Sequence, residues 1–170
     1  MIKVVISALA VALSHPLTRR YVQRGFMQSF IKFEKIWNDD DIAEMKITVN
    51  NGHSSFSNKV YVGHNEFTEL YESLNTFKTH YYGGLRNIEF GGFGCEYASG
   101  AFYARLHFPK PGNLFISTNQ QSGFFEFKGQ MVASESKMYL STEPVLFDNF
   151  LRELKALCNS EFGVAELICT

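Results

Sequence analysis

Cysteine, proline and tryptophan are scarce in this chain: its 170 residues include 3 Cys, 4 Pro and 1 Trp. The three thiols, Cys95, Cys158 and Cys169, are widely spaced, which excludes the paired framework of a small disulfide scaffold. There is no CxxC pair and no Cys/His spacing of the kind that ligates zinc. An excess of one charge is also missing, with 16 Lys+Arg against 17 Asp+Glu, a net charge of −1 and a pI near 6.5. That balance argues against a general nucleic-acid binder, which is usually basic as a whole domain. No apolar run reaches the roughly 20 residues of a membrane-spanning helix. Repeats and low-complexity tracts are absent. What the chain does have is 17 Phe and 8 Tyr within a 45% hydrophobic composition, enough for a well-specified core and incompatible with disorder.

The near-neutral sum hides a division. Residues 1–38 carry Lys3, Arg19, Arg20, Arg24, Lys32 and Lys35 against Glu34 alone, a balance of +5. Residues 39–170 hold 10 basic and 16 acidic side chains, a balance of −6. The division has two readings: segments that attract each other within one fold, or an acidic domain made for a basic partner.

The first 38 residues read as a separate basic extension. Met1-Ile2-Lys3 followed by the apolar run Val4 to Leu13, with Ala8-Leu9-Ala10 as a cleavage-like triplet, has the outline of a short signal-peptide core. An N-terminal helix packed on the domain is the default expectation, with a cytoplasmic location, and export through residues 1–13 is the alternative. After Pro16, the residues Val22, Phe26, Phe30, Phe33 and Trp37 recur every three or four positions, which predicts an amphipathic helix over 17–37. Its apolar face would dock on the domain or on a second copy to make a homodimer, and its arginines would allow contact with an anionic membrane surface. The acidic run Asp39-Asp40-Asp41 opposes a helix C-terminus and predicts a break there.

Residues 42–170 read as one α+β domain. Met45, Ile47 and Val49 alternate with Lys46 and Thr48, Asn50-Asn51-Gly52 supplies a turn, and 56–62 gives the second arm of a hairpin. The period then changes. Phe67, Leu70, Tyr71, Leu74 and Phe77 mark a helix with Asn65 as its N-cap and Glu66, Glu69 and Glu72 mostly opposite. Strands are predicted at 87–90, 95–98, 101–108, 113–118, 124–128 and near 137–140, separated by Ser99-Gly100, Pro109-Lys110-Pro111-Gly112 and Gln121-Ser122-Gly123. Pro144 opens a last helix through Leu157. The expected architecture is an antiparallel meander of about six or seven strands with two helices packed on one face, plus the N-terminal helical extension.

No catalytic signature emerges. The five histidines, His15, His53, His64, His80 and His107, form no HExxH pattern. Cys95 with His107 is conceivable as a nucleophile and base on neighbouring strands, but no third residue orients them. Gly91-Gly92-Phe93-Gly94 lacks the Lys-Ser/Thr of a P-loop and precedes no helix, so it reads as a turn or bulge. The strands carry too few Lys and Arg among their aromatics for RNA stacking. No enzyme activity, metal or cofactor is expected.

A surface remains. Within 101–108, Phe102, Ala104, Leu106 and Phe108 face one way and Tyr103, Arg105 and His107 the other, so one face of the sheet is open. Tyr103, Arg105 and His107, joined by Glu89 and Glu126, are candidate partner-binding residues, because Tyr and Arg dominate protein hot spots. A solvated sheet face is the plainer alternative, and a small-molecule or lipid site between sheet and helices is another.

The succession Val60-Tyr61-Val62, Phe67-Thr68-Glu69-Leu70, Leu74 and Phe77, then a Gly-containing strand pair, then Met138-Tyr139-Leu140-Ser141-Thr142-Glu143 leading into Leu146-Phe147-Asp148-Asn149-Phe150-Leu151-Arg152-Glu153-Leu154, resembles the small bacterial domains grouped with WapI-type immunity proteins. The resemblance covers about residues 45–157, with Ser141-Thr142-Glu143-Pro144 where such domains launch their last helix. It implies a cytoplasmic non-enzyme that binds and neutralises a cognate toxin. The −6 of residues 39–170 suits a basic toxin as that partner.

Overall fold

In the computed structural model the described residues are 28–79, 83–97 and 99–170. Ten strands and two helices follow one another as β1 (Ser29–Asn38), β2 (Ile42–Asn50), β3 (Ser55–Gly63), α1 (His64–Phe77), β4 (Leu85–Phe90), β5 (Ala101–Lys110), β6 (Asn113–Gln121), β7 (Phe125–Phe127), β8 (Gln130–Val132), β9 (Glu135–Thr142), α2 (Pro144–Cys158) and β10 (Gly163–Cys169). Instead of one meander there are two four-stranded antiparallel sheets, ordered β10-β1-β2-β3 and β4-β5-β6-β9, and a two-stranded β7-β8 hairpin.

The predicted helix over 17–37 does not hold for residues 29–37. They form β1, a central strand paired with both β2 and β10. The boundary drawn at residue 38 therefore falls inside the first sheet, and the helical extension, with the dimer and membrane contacts attached to it, otherwise falls on residues outside the described ones. Phe30 and Phe33 are three apart, which fits one helical face but opposite faces of a strand. In β1 the inward positions are Ile31, Phe33 and Lys35. A lysine among them disguised the two-residue period. The break at the aspartates is a hairpin turn: the Asp39 carboxylate accepts from the backbone N–H of Asp41 (2.9 Å) and Ile42 (2.8 Å). Those two hydrogen bonds hold its carboxyl below the usual carboxylate range.

β2 and β3 form the anticipated hairpin, with Met45, Ile47, Val49, Val60 and Val62 buried. α1 starts one residue before the predicted Asn65 cap: its N-cap is Gly63, whose N–H donates to Glu66 Oε2 at 3.1 Å. Phe67, Leu70, Leu74 and Phe77 make its buried stripe. Three more segments depart from expectation: residues 95–97 belong to the β4–β5 loop, and neither β8 nor β10 is anticipated by the sequence pattern. β10 completes the first sheet beside β1, which is why the strands divide between two sheets.

The sheets are stitched together at two seams. At one, Asn58 Nδ2 donates to the carbonyls of Ala101 (2.9 Å) and Gln121 (3.0 Å), while Gln120 Nε2 donates to Asn58 Oδ1 (2.7 Å) and Ile47 O (3.2 Å). Gly100 is required here, because a Cβ would lie 2.5 Å from Gln121 O and 2.7 Å from Lys59 O. At the other seam the Thr170 N–H donates to Ser141 O (2.8 Å) and Thr142 Oγ1 to Ile168 O (2.7 Å). α2 packs along β10, and α1 against α2, β3 and β4. One core lies between the sheets and helices, centred on Phe33, which meets Phe90, Phe102 and Phe150 edge-on at centroid distances of 6.0, 5.6 and 5.7 Å. Among the described residues no helix is long and apolar enough to cross a membrane.

Candidate functional site

The second sheet turns one face to the core and leaves the other uncovered by any described element. Along β5, Phe102, Ala104, Leu106 and Phe108 are buried, while Arg105 and His107 are exposed and Tyr103 is half-buried. Register extends this face across four strands. Leu85, His107, Phe115 and Ser141 form one row, Asn87, Arg105, Ser117 and Tyr139 the next, and Glu89, Tyr103, Asn119 and Lys137 a third. Four of the five residues singled out from the sequence, Tyr103, Arg105, His107 and Glu89, thus share one surface. Glu126 does not: it is exposed on β7, in the separate two-stranded hairpin between β6 and β9 in sequence.

The face carries large side chains that sequence reasoning missed. Leu85, Phe115 and Tyr139 are 56%, 47% and 66% exposed although they sit in regular strands. Contiguous exposed apolar residues on a folded domain mark interaction surfaces more often than scattered ones do. The separate β7–β8 hairpin exposes Phe125 and Phe127 on one side and Met131, opposite Glu126, on the other, and turns at Lys128 (φ 50°) and Gly129 (φ 81°). Both residues have positive φ, the requirement of a two-residue hairpin turn whose twist matches its strands.

No known protein family, curated protein or solved structure matches this chain.

Between Tyr103, Arg105, Ser117, Asn119 and Lys137 the face holds an open depression of about 200 Å³. Its two cations are oriented by neighbours. Arg105 Nε donates to Asn87 Oδ1 at 3.4 Å, and Lys137 Nζ lies 5.8 Å from the centre of the Tyr139 ring. The ion pairs of the described residues, Lys32–Glu34, Lys59–Glu44 and Lys78–Asp148, include neither of them.

The other candidates separate. Cys95 is exposed in the loop joining β4 to β5. His107 pairs with Leu85 at the opposite end of that hairpin, five residues beyond Phe102, the partner of Phe90. At roughly 3.4 Å per residue the two ends are about 17 Å apart, so Cys95 and His107 are not a nucleophile–base pair. In the Gly91–Gly94 turn, Gly91 has φ 66° and its Cβ would lie 2.4 Å from Gly100 O, a reason for glycine that involves no phosphate. The void lined by Phe33, Phe102, Phe147 and Phe150 is about 10 Å³, room for one water at most. Among the described residues no three His, Cys, Asp or Glu side chains cluster to hold a metal.

Burial shifts two of the thiols. It pushes Cys169 up to about 12 and raises Cys158, the latter opposed by the nearby Lys35 ammonium. Lys35 itself is lowered by burial. Its Nζ donates to Leu157 O (2.9 Å) and Ser160 O (2.8 Å), so this inward lysine caps the C-terminus of α2.

Proposed function

We propose that this chain is a non-catalytic protein-binding domain that presents the open face of its second sheet to a partner protein. One observation carries the proposal: Leu85, Phe115 and Tyr139 stand exposed in register with Tyr103, Arg105 and His107 on a single face. Exposing these side chains in a monomer forgoes the roughly 25 cal/mol per Å² that burial would return. A partner that covers them recovers it, and the Tyr and Arg residues supply directional contacts. A small-molecule or lipid site within the core has no room, since the interior void is about 10 Å³, and the groove of about 350 Å³ between Ser73, Thr76 and Phe77 of α1 and Leu85 and Arg86 of β4 lies open at the surface.

Neutralisation of a cognate bacterial toxin is the more specific form of this proposal. It draws support from the −6 balance of residues 39–170, which would steer a basic protein toward the domain. Expression of the neighbouring gene's product with and without this chain tests it. The product should be toxic alone, harmless with the wild-type chain, and co-purify with it. The rescue should be lost with Phe115→Ser/Tyr139→Ser. A neighbouring product that is harmless and does not bind removes the immunity form. Rescue that survives the double substitution removes the face.

A further inference from the structure

The open face carries two acids, Glu89 and Glu135, and two cations, and the depression at its centre is lined by the cations alone. Residues 39–170 sum to −6, yet the centre of the face gathers Arg105 and Lys137. We propose that the depression between Tyr103, Arg105, Ser117, Asn119 and Lys137 is an anion site that receives a carboxylate side chain of the protein partner. This rests on the reading of the face as a protein-binding surface and names one contact within it.

Register brings the cations together. Arg105 lies opposite Ser117, and Lys137 opposite Asn119, so the two charges flank β6 from β5 and β9. Their backbones are two strand spacings apart across the sheet and two residues apart along it, about 12 Å, and both side chains line the one depression. The Ser117 hydroxyl and Asn119 amide line the site and can donate to an anion. With Nε turned toward Asn87, the terminal nitrogens of Arg105 remain for a forked contact, the geometry in which guanidinium binds carboxylate best. The Tyr139 ring under Lys137 Nζ and the exposed Phe115 on the same face would exclude water once a partner closes over them. Two acids share the face: Glu135, two residues from Lys137 on β9, accepts from Gln121 Nε2 at 2.7 Å, and Glu89 on β4 lies diagonal to Arg105; neither forms an ion pair among the described residues and neither lines the depression.

A polyanion is disfavoured. Nucleic acid would bring many phosphates against a domain with a balance of −6, whereas a carboxylate presents a single charge to a local pair. At physiological ionic strength the distant acids are screened beyond about 8 Å, so they do not cancel the pair. A basic partner attracted at long range can still place one Asp or Glu in this depression.

The test is a titration of the ¹⁵N-labelled full chain with an end-blocked hexa-aspartate peptide, reading the backbone amides of Ser117, Asn119 and Lys137. Saturable shifts at these amides are expected, with binding about tenfold weaker in Arg105→Gln/Lys137→Gln, the loss of one charge-assisted contact or more. Lys46→Gln/Lys59→Gln, which removes two adjacent charges from the outer face of the first sheet, should bind as wild type. The proposal is overturned if the peptide leaves these amides unmoved, or if the two double variants weaken equally. It is also overturned if inorganic phosphate or an eight-nucleotide oligothymidylate saturates the same amides at lower concentration. Co-purification separates this failure from failure of the broader reading. Should Phe115→Ser/Tyr139→Ser lose the partner while Arg105→Gln/Lys137→Gln keeps it, the carboxylate contact falls and the face stands. Should both variants keep the partner, both proposals fall.

Discussion

Replacing Lys35 by methionine isolates the contact that ties β1 to α2. Methionine keeps an unbranched apolar stem beside Phe67, whose ring centre is 5.7 Å from Lys35 Nζ, and removes only the ammonium. Ser160 O then loses its lysine donor, while Leu157 O retains the longer contacts from Ser160 N (3.4 Å) and Ser160 Oγ (3.2 Å). A charge-assisted hydrogen bond contributes about 1.5–3 kcal/mol, and a cation at a helix C-terminus about 0.3–1 kcal/mol. Against these stands the cost of burying the ammonium, which the lowered pKa of Lys35 reflects. Two such bonds with the helix-end charge come to about 3–7 kcal/mol, and the burial cost reduces this to a net loss of about 1.5–3 kcal/mol, or about 3–12 °C in Tm for a domain of this size. Urea and thermal unfolding followed by circular dichroism measure it. The pH dependence carries a sign of its own. Because the native pKa of Lys35 is below its ordinary 10.5, the unfolded chain holds this proton where the native chain has lost it. The wild type should therefore gain stability relative to Lys35→Met as pH rises through the native pKa toward 10.5. Buried charges are often replaced by apolar groups at no cost. A Lys35→Met variant as stable as wild type at pH 7 would refute the capping account.

Three further outcomes are expected. Asn58→Ala strips donors from the carbonyls of Ala101 and Gln121 at the seam between the sheets and should cost about 3 kcal/mol by urea unfolding; a loss below about 1 kcal/mol would mean water replaces the amide. In native protein the exposed Cys95 should react rapidly with a disulfide reagent, the half-buried Cys158 more slowly and Cys169 only in denaturant; three thiols reacting without denaturant would contradict the burial of Cys169. Because the Cys169 thiol is pushed up to about 12 from 9.0, the native chain keeps a proton that the unfolded chain releases, so stability should fall as pH rises above 9.0. Cys169→Ala should flatten that fall, and an unchanged slope would assign it to other groups.

The parts of the fold legible in sequence are those where pattern and environment agree. α1 shows a clean helical stripe, and β2 alternates Met45, Ile47 and Val49 with polar residues, so both were found. β1 was misread because its third inward residue is a lysine satisfied by the carbonyls of Leu157 in α2 and Ser160 just past it, 122 and 125 residues away in sequence, partners no local window contains. β10 is seven residues long, and its pairing with β1 closes a sheet across nearly the whole described chain. The division into two sheets depends on such long-range partners, as does the seam built by Asn58 and Gln120. On the candidate site, Tyr103, Arg105 and His107 were readable because residues 102–108 of β5 alternate, and Glu89 because it stands between the inward Ile88 and Phe90 of β4. Phe115 and Tyr139 were not, because Leu114-Phe115-Ile116 and Met138-Tyr139-Leu140 are apolar on both faces and look like fully buried strands. Glu126 was misplaced because its segment pairs outside the second sheet, in the separate β7–β8 hairpin.

Site-specific photo-crosslinking in cells tests the binding face most directly. A benzoylphenylalanine placed at Tyr139, on the open face, is compared with one at Tyr61, 47% exposed on the outer side of the first sheet. A discrete protein adduct at position 139 and none at position 61 is the predicted result. No adduct at 139, or the same adducts at both positions, would contradict it.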